Sequence, residues 1–128
     1  MNFQIEDKGN YKHLIMQSDR LDVLSVPKLK AELLFQIREQ GNKNIVLDIS
    51  RCSFCDASGL SAIQAMHCMC EKEDGILIVT GIQTNIKKLI NICKLDQVLT
   101  IVNDPDEVET LLQRKTENEL TGSTSCTN

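Results

Sequence analysis

I-V-L-D-I-S-R-C-S-F-C-D-A-S-G-L-S-A-I, from Ile45 to Ile63, decides how the rest of the chain is read. Its first five residues are apolar and mostly β-branched apart from Asp48, the pattern of a strand covered on both faces or nearly so. A short polar bend follows Ser50. From Leu60 the apolar positions recur at helical spacing, so the stretch is a strand, a loop and the start of a helix. Ser58 stands where the loop becomes the helix, two residues after the Asp56 carboxylate and beside a glycine that adds no bulk.

Working outward, Phe3 and Ile5 alternate with polar residues, Asp7-Lys8-Gly9-Asn10 is a turn, and Tyr11 to Met16 ends apolar, which predicts a two-stranded hairpin. Arg20-Leu21-Asp22-Val23 leads to a helix opened by a capping Ser25 and by Pro27 in its first turn. Its apolar stripe is Leu29, Leu33, Leu34 and Ile37, and Gly41-Asn42 stops it. Beyond the bend, Leu60, Ala62, Ile63, Ala65, Met66 and Cys70 form the second helix. Ile76 to Val79 is a buried strand, and Thr84-Asn85 caps a third helix that turns Ile86, Leu89, Ile90 and Cys93 inward. A last strand runs from Val98 to Val102. A fourth helix starts at Asp104 to Glu107, with Val108, Leu111 and Leu112 inside. The order ββαβαβαβα predicts an α/β fold, a small mixed sheet with right-handed parallel crossovers flanked by about four helices. One domain over residues 1–115 and a polar, disordered tail over 116–128 complete the expectation.

A chain of 128 residues with 41% apolar and 25% charged content buries about two thirds of its unfolded surface, enough for one core. Aromatics make up 3%, so that core is aliphatic. A net charge of −4 offers no basic footprint for nucleic acid or anionic lipid. No apolar run spans a membrane, and the N-terminus lacks the layout of a signal peptide, which predicts a cytoplasmic protein with no direct membrane insertion. In that setting the six cysteines are expected as reduced thiols, with Cys93 as core filling and Cys55 a redox-sensitive position beside Ser58. His13 and His67 have no partner constellation and read as structural or surface residues.

Ser58 is the first candidate for chemistry. A hydroxyl at a helix start lies near unpaired backbone N–H groups that stabilise a phosphate. A phosphoserine there adds about −1.5 to −2 charge. From spacing alone, an N-cap role for Asp56 or Ser58 has the better claim. Zinc is the second candidate, through Cys52-x-x-Cys55 and Cys68-x-Cys70 around His67. Ten helical residues between Ser58 and Cys68 put the two pairs about 15 Å apart, too far for one ion, so no metal and no cofactor are expected. No phosphate loop, no nucleophile with its base and no carboxylate pair stands out, so no enzyme is expected.

V-L-D-I-S-R-C-S-F-C-D-A-S-G-L, preceded by R-L-D-V-L-S-V-P-K-L, resembles the STAS domain of bacterial anti-sigma factor antagonists, and the likeness runs to about Leu112. The resemblance implies a STAS-like sheet flanked by helices and a phosphoacceptor at Ser58. It implies a partner-switching regulator that binds a serine-kinase anti-sigma factor and releases a sigma factor. Phosphorylation by that kinase breaks the complex, and a PP2C-type phosphatase resets it. Asp22, Asp56, Ala57, Ser58, Gly59 and Leu60 form the expected partner surface on a monomer or weak dimer. Ala57 replaces the family's first hydroxyl, which leaves Ser58 as the acceptor. Asp19 stands where the family has glycine. The alternative is an unphosphorylated STAS accessory subunit docked on the ATPase of an ABC transporter, and a nucleotide-binding module is a third reading.

Overall fold

The computed structural model describes residues 3–41, 43–104 and 106–118, the last five by backbone alone. In chain order its elements are β1 (Phe3–Asp7), β2 (Lys12–Met16), β3 (Arg20–Leu21), α1 (Val26–Leu34), β4 (Asn44–Asp48), β5 (Phe54–Cys55), α2 (Ala57–Lys72), β6 (Ile76–Thr80), α3 (Thr84–Ile92), β7 (Thr100–Val102) and α4 (Glu107–Asn118). Five strands form one sheet in the order β1-β2-β4-β6-β7. The first pair is antiparallel and the other three are parallel. This is the mixed sheet that alternating strands and helices require.

Alternation along β4 divides the core. Ile45 and Leu47 face Leu29, Leu33, Ile63, Met66, Ile86 and Ile90, while Val46 joins Ile78, Val102, Val108 and Leu112 in a smaller cluster beneath α4. The strand is thus buried on both sides, as its apolar run demands. Ile63 and Met66 have no exposed surface, and such burial stabilises by about 2 kcal/mol per side chain. These two residues anchor α2 and, with it, the loop that carries Ser58.

Several local expectations need correction. Two further strands, β3 and β5, pair in parallel as a separate two-stranded sheet. They join the Arg20-Leu21 segment to the bend before Ser58. Ser25 stands at the N-cap of α1 but makes no side-chain cap. Its backbone is already helical, and its hydroxyl turns back to accept the Asp22 N–H at 2.9 Å. The end of α1 continues as a π-helical turn over Phe35–Glu39, and the stop at Gly41 has φ +70°, where glycine costs least; Asn42 lies outside the described residues. Gln83 rather than Thr84 or Asn85 stands at the N-cap of α3, and it makes no side-chain cap. Cys93 lies past the end of α3 and is exposed, so it fills no core. The last strand is shorter than Val98 to Val102, because a 3-10 turn occupies Leu95–Gln97. Helix α4 runs to Asn118, past the point where a tail was expected, and residues 119–128 of that tail lie outside the described residues.

Candidate functional site

Asp56 follows β5 in an extended conformation, and its carboxylate accepts the Gly59 N–H at 2.9 Å. It is the N-cap of α2, which leaves Ser58 in the second helical position with its side chain exposed. Of the two residues that spacing alone left open for the cap, Asp56 takes it and Ser58 does not. Gly59 is needed for packing: a Cβ there would stand 2.3 Å from the Leu21 carbonyl oxygen and 2.9 Å from Cys55 Sγ. The start of α2 can press onto β3 because position 59 has no side chain. Leu60 is buried and fixes the first turn from beneath.

Asp22 is brought to the same end of the molecule, but not as a free carboxylate. It is nearly buried, and its Oδ2 accepts from Arg20 Nε at 3.0 Å. Its Oδ1 accepts the N–H groups of Leu24 and Ser25. The Arg20 hydrogen bond, followed by these two backbone donors, holds the carboxyl below its ordinary pKa against the cost of burial. Arg20 in turn stacks on Phe54, with its guanidinium carbon 4.3 Å from the ring centroid. Asp19 accepts the Ser53 and Phe54 N–H groups through its carbonyl and does not have a positive φ, so the turn forms without glycine.

A groove of about 470 Å³ opens between α1 and α2. One wall is Val23, Val26, Pro27 and Lys30; the other is Ala57, Ser58, Ser61 and Ala62. Val23 and Leu24 beside it are 63% and 83% exposed. Exposed apolar side chains grouped beside a groove are a feature of protein contact surfaces. Of the residues expected at the partner surface, Ala57 and Ser58 are exposed, while Asp22, Gly59 and Leu60 are buried and shape it from behind. The α1 wall was missed because it lies about thirty residues from Ser58 in the chain.

Among the described residues no cysteine lines this groove. Cys52, Cys55 and Cys70 are buried free thiols and Cys93 is an exposed one, whereas Cys68 is disulfide-bonded, against the expectation of reduced thiols throughout. Burial, with the Asp56 charge beside it, pushes the Cys55 thiol up to about 12. A buried thiol held protonated is a poor nucleophile, which argues against the redox-sensitive role expected of Cys55. Both histidines do have carboxylate neighbours. His67 is buried with Nε2 2.8 Å from Glu71, and His13 lies between Glu6 and Asp48 at 3.8 and 3.6 Å. Among the described residues no group of three or more His, Cys, Asp or Glu is placed to hold a metal, and no helix is long and apolar enough to cross a membrane.

Residues 4–108 match the model of the STAS domain. The anti-sigma-B factor antagonist of Staphylococcus aureus strain NCTC 8325 is 29% identical over 110 residues, covering 85% of this chain and all of the relative. The anti-sigma factor antagonist of Mycobacterium paratuberculosis superposes with a TM-score of 0.73 at 20% identity, over 88% of this chain and 93% of its own. Bacillus SpoIIAA, an anti-sigma factor antagonist solved in unphosphorylated and phosphorylated forms, gives 0.64 at 17% identity for the unphosphorylated form, over 95% and 100% of the two chains. At these identities the structural likenesses establish the fold.

Proposed function

The chain belongs to the STAS domain family, and from that premise we propose that it is an anti-sigma factor antagonist switched by phosphorylation of Ser58. Unmodified, it binds a serine-kinase anti-sigma factor through the groove between α1 and α2, and the sigma factor is released. The observation that carries the reading is the division of labour at the start of α2. Asp56 makes the cap, so the Ser58 hydroxyl is spared that task and stands exposed in an apolar groove. The kinase transfers the γ-phosphoryl group of ATP to Ser58 Oγ. The new P–O bond forms as the bond to the β-phosphate oxygen breaks, ADP leaves, and the hydroxyl proton passes to the kinase or to solvent. About two negative charges then stand where apolar surface met the partner, and desolvating them is costly. A PP2C-type phosphatase reverses the step.

Ala57, Ser58, Val23 and Leu24 form the contact in this reading, while Asp22, Asp56, Gly59 and Leu60 hold it in shape. The protein acts by binding rather than by catalysis. Incubation of the full chain with its anti-sigma kinase and ATP, followed by mass spectrometry, tests the site. Phosphate on Ser58 and none on the Ser58→Ala chain is the expected result; phosphate elsewhere, with Ser58 bare, overturns it.

A further inference from the structure

Eight side chains line the groove, and one of them is ionisable, the Lys30 ammonium. Lys30 is partly buried, and among the described residues it forms no ion pair. Arg20, the cation on β3, is already engaged by Asp22 and Phe54. A cation without an anion therefore faces a trough whose other walls are apolar or hydroxylic. Lys30 lies three and four residues after Pro27 and Val26, on the same side of α1. Ser58, Ser61 and Ala62 share the facing side of α2 by the same spacing. The two helices thus bring Lys30 and Ser58 to opposite walls of one space.

We propose that Lys30 holds the phosphoryl group once Ser58 carries it, so that the phosphoserine folds into the groove and bridges α2 to α1. This rests on the reading of Ser58 as the phosphoacceptor. The three phosphoryl oxygens accept from the Lys30 ammonium and from the Ser61 hydroxyl one turn on. Asp56 is not among the residues that line the groove, and its charge repels the phosphate from the cap. The long, flexible stem of lysine lets its ammonium swing toward the phosphate. The switch then has two parts. The phosphate repels apolar side chains of the partner, and it also plugs the groove that would seat them. The unmodified chain keeps the groove open, with Lys30 as a cation offered to the partner.

The test is made on the full chain with phosphoserine installed at position 58 during translation, which needs no kinase. Its ³¹P resonance is followed through a pH titration in the wild type, in Lys30→Gln and in Lys30→Arg. A lysine in contact favours the dianion, so the second phosphate pKa, normally about 6, lies about half a unit lower in the wild type than in Lys30→Gln, and Lys30→Arg restores it. Equal values in all three chains overturn the proposal, as does a lower value in Lys30→Gln. Amide spectra of the three unmodified chains establish that each is folded before the comparison is made. Failure here leaves Ser58 in place as phosphoacceptor. A bare Ser58 after the kinase reaction removes the acceptor reading and leaves this titration unaffected.

Discussion

The N-termini of α2 and α3 both come after parallel strands of the central sheet, α3 directly after β6 and α2 after β4 by way of the short β5, yet they spend their polar groups differently. At α3, Gln83 Nε2 donates to the Ser50 carbonyl at 2.9 Å and Asn85 Nδ2 to the Ser53 carbonyl at 2.8 Å. Both side chains pin the loop that precedes β5. At α2, Asp56 accepts one first-turn N–H and the next polar side chain, Ser58, is exposed along the groove. One helix end is scaffold and the other is surface. The scaffold holds the surface in place, because the loop fixed by α3 is the one that delivers Asp56 and Ser58.

This contrast predicts a ranking of mutational costs. Gly59→Ala has the largest effect, since the new Cβ would stand 2.3 Å from the Leu21 carbonyl oxygen; overpacking of this kind costs about 3 kcal/mol, read from urea unfolding. Asp56→Ala loses the cap of α2 and about 1 kcal/mol by the same measurement. Asn85→Ala gives up a single exposed hydrogen bond and about 0.5 to 1 kcal/mol. Ser58→Ala changes stability by less than about 0.5 kcal/mol, because the hydroxyl is exposed and supports nothing beneath it. A Ser58→Ala chain less stable than the Asn85→Ala chain would erase the distinction between scaffold and surface.

Acid gives a finer test of the scaffold. The Asp22 pKa is lowered from 3.8, chiefly by its hydrogen bond to Arg20. The folded form therefore binds its proton less readily than the unfolded chain does. The stability this contributes is fully present above about pH 4 and is lost as pH falls through the depressed folded value. The difference in urea midpoint between wild type and Asp22→Asn should be constant at neutral pH and shrink below pH 4. A difference that instead grows in acid contradicts the assigned role of Arg20.

The main elements are legible in the sequence where burial imposes a period. β4 and β6 are apolar on both faces, and α2 repeats its core positions over four turns, so their order could be read directly. β3 and β5 escaped notice because a two-residue strand has no period. Cys93 misled for a related reason: its spacing from Ile86 and Ile90 fits the stripe of α3, but the helix ends at Ile92 and the residue after it turns to solvent. Ser58 stood out only through the resemblance carried by the D-A-S-G-L stretch, since its spacing from Asp56 by itself favoured a cap. The groove was not, because its α1 wall is distant in the chain and consists of residues such as Val23 and Pro27 that look ordinary until the two helices are brought together.

The account turns on what a phosphate at Ser58 does to the surface between α1 and α2. The most direct measurement is the dissociation constant for the serine-kinase anti-sigma factor of the unmodified chain and of the chain carrying phosphoserine at 58, by calorimetry. A loss of about a hundredfold, or roughly 2.7 kcal/mol, is the expected result. Affinities within about twofold of each other would contradict the switch.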